Sequence, residues 1–328
     1  MMLALIDNAF LSLIASAIPA STVVVLAATG CLLGERVGVL NMGQEGLIGI
    51  GAVYSVIAVT SWNVTSPWTA MLIGMVAAAV AGFVFAIAVV VVRASQVLVG
   101  LALALGGVGL SNQLGTNRNG TPITTLFREV DPGGAFQTGG VVEAFFFHDP
   151  VVYIAYVALP ALLWFVMFRT RHGMNMRAVG ENPAAADAAG VSVMGSRLVY
   201  CVLGAAISGA GGAYMVLSFT PTWSPDIARG RGWVALAVVI FAVWKPFWVV
   251  AGALLYGSMI SLDATAQARG WSLPFLGGSD LGFFLSMLPF LATLVAILVP
   301  AAAAQLGLRS RSTAAPAALA VPYSREER

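Results

Sequence analysis

The chain has 328 residues, of which 59% are hydrophobic and only 9% charged, and its mean hydropathy is +0.91. Soluble domains carry about 25% charged residues, so this composition excludes an ordinary water-soluble fold and predicts an all-α polytopic membrane protein. A net charge of +2, without any long basic run, excludes a nucleic-acid partner.

Apolar runs occupy 9–33, 44–60, 68–92, 96–114, 150–168, 198–220, 232–244, 247–263 and 282–303. Roughly 17–25 apolar residues cross about 30 Å of hydrocarbon, so the pattern predicts eight to ten transmembrane helices, some of them discontinuous. Residues 1–303 form one membrane domain, and 304–328 read as a polar, disordered tail. The first run has neither a basic leader nor a small-residue cleavage site, which predicts no cleaved signal peptide. Cys31 and Cys201 lie in apolar runs without paired spacing and read as packing residues rather than a disulfide or metal site. Glycines inside the runs, such as Gly204, Gly211 and Gly212 beside Ser208, predict closely approaching helices.

The polar breaks are more telling. Gly34–Gly46 (GERVGVLNMGQEG) is either a surface turn or a helix break at membrane depth. Its groups Glu35, Arg36, Asn41, Gln44 and Glu45 must pair, reach water or line a path, because an unpaired charge in the bilayer costs several kcal/mol. Two readings stand. One is structural pairing, with Glu45 capping the helix that follows. The other is a polar rim on a translocation route, with Asn41 and Gln44 hydrogen-bonding a polar substrate.

Residues 115–149, rich in Gly, Pro, Thr and Phe, read as an ordered external cap. There Arg118 and Arg128 are offset by Glu129, Asp131, Glu143 and Asp149. Residues 169–197 form a basic, alanine-rich island holding Arg169, Arg171, Arg177 and Arg197. The positive-inside rule places the island, Arg93, Lys245 and the tail arginines 309, 311, 325 and 328 in the cytoplasm. Within the island, Asn182 is an N-cap, Pro183 a first helical residue and Gly190 a stop, which predicts a two-turn helix with an alanine surface. That helix is either a passive connection or a piece displayed for a partner.

The turn Thr222–Trp233 carries Trp223 and Trp233, either as part of an interfacial aromatic belt or as a stacking platform. Asp263 and Asp280 bracket a further outer turn that is a candidate docking surface. His148 and His172 have no ligand partners at metal spacing, so no metal is expected, and no catalytic constellation is present. Lys245 is the only lysine and lies between Trp244 and Pro246, so no phosphate-binding P-loop exists here. Any ATP-driven work needs another chain.

Three stretches carry a resemblance. Gly173-x-x-x-Arg177-Ala-Val-Gly180-Glu181-Asn182-Pro183-x-Ala185-Ala186-x-x-x-Gly190-Val191 resembles the cytoplasmic coupling segment of bacterial ABC importer permeases of the ribose and nucleoside type. Glu35-Arg-x-Gly38-Val-x-Asn41-x-Gly43-x-Glu45-Gly46 resembles a signature near the start of the nucleoside and simple-sugar branch. Gly230-Arg-Gly232-Trp233-x-Ala-Leu-Ala237 through Trp244-x-Pro246 resembles a late segment of the same branch. Two departures stand out: Ala242 replaces a common Gly, and Leu101–Gly106 lacks an expected Asn.

The resemblance implies the permease subunit of an ABC importer for nucleosides or simple sugars in the bacterial plasma (inner) membrane, with a cytoplasmic C-terminus. It implies no cofactor in this chain, with ATP and Mg on a partner ATPase. The implied partners are that cytoplasmic ABC ATPase, an external substrate-binding lipoprotein or periplasmic protein, and a second permease, a paralogue being favoured over a second copy. Implied coupling residues are Arg177, Gly180, Glu181, Asn182, Ala185, Ala186 and Gly190. Substrate-path candidates are Asn41, Gln44, Glu45 and Trp233.

The rival readings are a branched-chain amino acid ABC permease, an ion-coupled secondary transporter, whose best ionisable residue would be Asp263, and a polytopic membrane enzyme.

Overall fold

The structure, a computed structural model, describes residues 2–129, 147–268 and 315–324, with 285, 287–288, 290–295, 298, 302 and 305 in addition. Among them the helices are α1 (Met2–Arg36), α2 (Gln44–Thr60), α3 (Pro67–Val91), α4 (Gln96–Arg118), α5 (Pro150–Arg169), α6 (Arg171–Glu181), α7 (Pro183–Ala188), α8 (Val193–Phe219), α9 (Arg231–Phe241) and α10 (Pro246–Ala268). Four of them, α3, α5, α7 and α10, begin at a proline, whose missing N–H would find no helical partner at that position anyway. Helices α1, α3, α4, α5, α8 and α10 are long and apolar enough to cross a membrane, whereas α2 and α9 are shorter.

Most expected runs coincide with these helices to within a few residues. The run at 232–244 does not span. It is the 11-residue α9, about 16 Å long, or half a bilayer. Asp131, Glu143, Asp280, Arg309, Arg311, Arg325, Arg328 and much of 282–303 lie outside the described residues.

Helix α8 is central and packs on α1, α2 and α3. Small residues mark the crossings: Gly204 on Gly30, Gly209 on Gly51, and Gly212 on the Ile48 carbonyl. In lipid there is little hydrophobic gain in joining two apolar helices, so close backbone approach and dispersion hold them together. Helix α3 shows the same logic. Gly74, Ala78 and Gly82 are buried one turn apart, while Leu72, Val76, Val80 and Val84 face outward. Replacing Gly212 with valine drives a side chain into a backbone carbonyl that cannot rotate away. The expected cost is about 3 kcal/mol or more. It is read as lost folded yield and a lower unfolding temperature in detergent; wild-type stability would refute the tight α2–α8 crossing.

One end of the bundle gathers Arg36, Arg93, Arg177, Arg197 and Lys245. There Arg36 Nε donates to the Trp244 carbonyl (2.9 Å), and Trp244 Nε1 donates to Glu35 (2.5 Å). The Glu35 and Arg36 charges are therefore structural, tying α1 to the α9–α10 turn. At the opposite end, Arg118 Nη2 donates to Ser61 (2.6 Å), and the Ile123 and Phe127 amides donate to Pro221 and Leu217 (2.9 and 3.0 Å). Asp149 caps α5 and accepts from Tyr214 (2.9 Å) and Ser218 (2.7 Å). The described parts of 115–149 thus lie across this end as a cap. Residues 315–324, within the stretch expected to be a disordered tail, instead form a turn hydrogen-bonded to the basic end.

Candidate functional site

The connection between α1 and α2 re-enters the bundle. Gly38, at φ +82°, reverses the chain at the basic end. The chain then climbs along α4. The Leu40 amide donates to Gln96 (2.7 Å), Met42 lies on Gly100, and Gly46 on Leu103 and Gly107. Glu45 therefore sits at the level of Leu103, about 11 Å above Gln96. The Gly34–Gly46 stretch thus turns at the basic end and then, over Val39–Gly43, runs as irregular backbone back into the bundle rather than staying a surface turn. Irregular backbone is stable at that depth only when protein satisfies it. Asn41 Oδ1 accepts the Gly43 amide (2.8 Å), and Gln44 Oε1 accepts the Ser208 hydroxyl (2.6 Å).

A second irregular segment comes down from the opposite end. Trp223 is buried against Gly115, and the Gly120 amide donates to its carbonyl (2.9 Å). Asn112 and Asp226 exchange two hydrogen bonds, Asn112 Nδ2 to Asp226 Oδ1 (2.8 Å) and the Asp226 amide to Asn112 Oδ1 (2.9 Å). Left-handed residues Asp226, Arg229 and Gly230 bend the chain into α9. Glu45 receives it: its two oxygens accept the Gly230 amide (2.6 Å) and the Gly232 amide (2.8 Å). A helix N-terminus presents unpaired N–H groups and partial positive charge, so a carboxylate there satisfies both. Helix α9 then returns to the basic end, where left-handed Val243 and Trp244 reverse the chain toward α10.

Helix α2 and the half-helix α9 thus begin at the same depth, and their N-termini converge on Glu45. Several expectations change. Glu45 caps α9 rather than the helix that follows it, because α9 begins in the membrane with orphan amides. Trp223 is 1% exposed and is therefore no interfacial belt residue. Trp233 is half-buried in the first turn of α9, at the level of Glu45 rather than at the boundary. Asn41, Gln44 and Glu45 all use side-chain oxygens in intramolecular bonds. On the segment leading down to Glu45 the exposed polar groups are Asp226, at the level of half-buried Asn112, and Arg229, next to Gly230. Asn112 and Ser208 were missed as site residues. Asn112 is a polar residue in an apolar run, but its pairing to Asp226, 114 positions away, has no local signal.

The 169–197 island folds as α6 and α7. Thr170 caps α6 through the Gly173 amide (3.2 Å), and Asn182 caps α7 through the Ala185 amide (3.0 Å). At the far end of α7, Gly190 at φ +85° permits the Gly190 amide to bond Asp187 (2.9 Å) and the Val191 amide to bond Ala186 (3.0 Å). Glu181, Asn182, Ala185 and Gly190 are exposed. Gly180 and Ala186 face inward, Gly180 directly against the Arg36 carbonyl. The Arg177 guanidinium covers the Phe168 ring at 5.2 Å. Both cysteines are buried and free, and among the described residues no cluster could hold a metal.

A half-helix and a re-entrant connection meeting inside a bundle of full spans, with a capped helix pair displayed at its basic end, define a multi-pass membrane permease. Nothing in the chain could bind or hydrolyse a nucleotide through a P-loop. The chain belongs to the family described as branched-chain amino acid transport system / permease component, whose model matches residues 13–279.

Its relatives extend the likeness over nearly the whole chain. A Haloferax volcanii protein named as a glucose ABC transporter permease is 32% identical over 96% of this chain and 98% of its own. The nucleoside ABC transporter permease NupC of Lactococcus lactis is 28% identical over 88% and 92%. The guanosine ABC transporter permease NupQ of Bacillus subtilis is 28% identical over 93% of each chain. No solved structure matches the chain.

Proposed function

We propose that this chain is the permease subunit of an ABC importer that admits nucleosides or simple sugars across the plasma membrane. Its basic end faces the cytoplasm, as the positive-inside rule requires of Arg93, Arg169, Arg171, Arg177, Arg197 and Lys245. A cytoplasmic ATPase holding ATP and Mg grips the exposed Glu181, Asn182, Ala185 and Gly190 surface. An external binding protein delivers substrate to the capped end, and a second, paralogous permease completes the path. The names of the relatives support the substrate class.

The observation that carries the reading is the junction at Glu45. Helix α2 and the half-helix α9, sharing a polar hinge, can tilt against the full spans without exposing backbone to lipid. Asp226 and Arg229 are exposed on the segment that runs from the opposite end down to it, Asp226 less than two turns of α4 from that end and Arg229 next to Gly230. Charged groups at that depth cannot face hydrocarbon, so their face meets water or the second permease. We assign that face, with Asn112 and Trp233, to the translocation route. Asn41, Gln44 and Glu45 support it from behind.

The test is ATP-driven uptake in proteoliposomes holding the whole transporter, with labelled guanosine, ribose, glucose and leucine. Nucleoside or sugar uptake is expected. Uptake of leucine alone would transfer the chain to the amino acid branch that its family description names. Replacing Asn112 or Arg229 with leucine is expected to lower uptake about tenfold while insertion and ATPase assembly stay normal. Wild-type uptake in both variants would remove this face from the route.

A further inference from the structure

Four elements at the basic end leave groups that their own secondary structure cannot satisfy. Helix α6 stops at Glu181, so the Gly180 carbonyl has no acceptor role within the helix. The reversal at Gly38 leaves that carbonyl turned out of α1. Arg197, at the start of α8, is 3% exposed and needs acceptors for its buried guanidinium. Asp187 projects from α7.

Residues 315–324 meet all four. The Ala318 amide donates to the Gly180 carbonyl (2.9 Å), and the Ala320 amide donates to the Gly38 carbonyl (3.2 Å). Arg197 donates through Nε to the Val37 carbonyl (3.1 Å) and through Nη1 to the Val321 carbonyl (3.1 Å), so one guanidinium holds both chains. Tyr323 donates its hydroxyl to Asp187 (3.1 Å). Ala318 is buried, and Pro316 lies beside Gly180. The segment therefore runs as a bridge from α6–α7 to the point where the chain turns back into the membrane. Seven residues beyond Gly38 is Glu45, the hinge of α2 and α9.

We propose that residues 315–324 are a transmission strap that couples displacement of the α6–α7 pair to the re-entrant Val37–Gly43 connection. This rests on the reading of α6–α7 as the coupling segment. Without the strap, α6 touches the end of α1 chiefly through Gly180, a contact that can slide. With it, the strap donates to the Gly180 and Gly38 carbonyls and accepts from the Arg197 guanidinium, linking α6, the Gly38 turn and α8, while Tyr323 ties α7 to the same segment.

The test uses the complete transporter in proteoliposomes, with three variants: a chain ending at Ala314, Ala318→Pro, and Ala320→Gly. The proline removes the N–H that bonds Gly180 and leaves every membrane helix untouched. Glycine suits Ala320, which sits at φ +63°, and serves as the control. Truncation and Ala318→Pro are each expected to lower substrate uptake about tenfold, with the ATPase still co-purifying and hydrolysing ATP, and Ala320→Gly is expected to transport normally. Should the truncated chain fail to insert, Ala318→Pro decides alone. Normal uptake in Ala318→Pro, or loss of the ATPase from the complex, would overturn the strap. The Glu181→Arg variant separates the two ideas: if it too transports normally, the coupling reading itself has failed.

Discussion

Replacing Glu45 with leucine is expected to unfold the centre of the protein rather than merely weaken substrate binding. Its two oxygens are the partners of the Gly230 and Gly232 amides, about 11 Å inside the bundle. Leucine is close in volume but accepts nothing. Each buried donor left unsatisfied costs about 1–3 kcal/mol, so the loss is about 2–6 kcal/mol, a large part of the stability of a folded chain. Glutamine keeps one acceptor and no charge, and its amide group faces a second N–H. Its cost is about 1.5–3 kcal/mol, the worth of one charge-assisted bond. Thermal unfolding in detergent should rank wild type above Glu45→Gln and Glu45→Leu last, with uptake following the same order. A leucine variant as stable as wild type would show that α9 does not start on this carboxylate.

Gly190→Pro and Glu181→Arg should have the opposite profile, near-normal folding with transport lost. Proline cannot adopt the φ of +85° at Gly190, and it removes the N–H that bonds Asp187, so the end of α7 unwinds. The damage stays in a six-residue surface helix. Glu181 is exposed and lies within electrostatic reach of Arg36, which also feels Arg177, so arginine there adds a positive charge beside Arg36. Both changes alter the surface offered to the ATPase and spare the spans. Uptake is expected to fall about a hundredfold, at the upper end of ordinary coupling between sites. Detergent-extracted yield and melting temperature should stay close to wild type. Unchanged uptake would return α6–α7 to the status of a passive connection.

These two profiles follow from how far each feature reaches along the chain. The anatomy of α7 was legible in advance because Asn182, Pro183 and Gly190 act within a few residues of one another. Capping and left-handed glycine are local effects. The same holds for the basic residues that gather at one end. The spans were legible too, since hydropathy over about 20 residues is read without knowing any partner.

The site was much less so. Asn41, Gln44 and Glu45 stood out as polar groups in an apolar chain, which marked the region but not its role. Glu45 meets Gly230 across 185 positions, and Gln44 meets Ser208 across 164. No periodicity or local propensity encodes pairs that distant. The run at 232–244 looked like a span because composition cannot distinguish a full crossing from a half-helix entered sideways. Only the seating of residues 37–43 along α4 sets the depth of the break. The order of residues 315–324 is illegible in the sequence for a related reason. Ala- and Pro-rich residues 315–324 offer little side-chain burial, and their order comes from carbonyls that other elements leave open at the basic end. Composition and short-range spacing thus settle which segments cross the membrane and how α7 begins and ends. Folding settles where α2 and α9 meet and what holds them, because satisfying a backbone donor or a buried charge in lipid requires a partner from elsewhere in the chain.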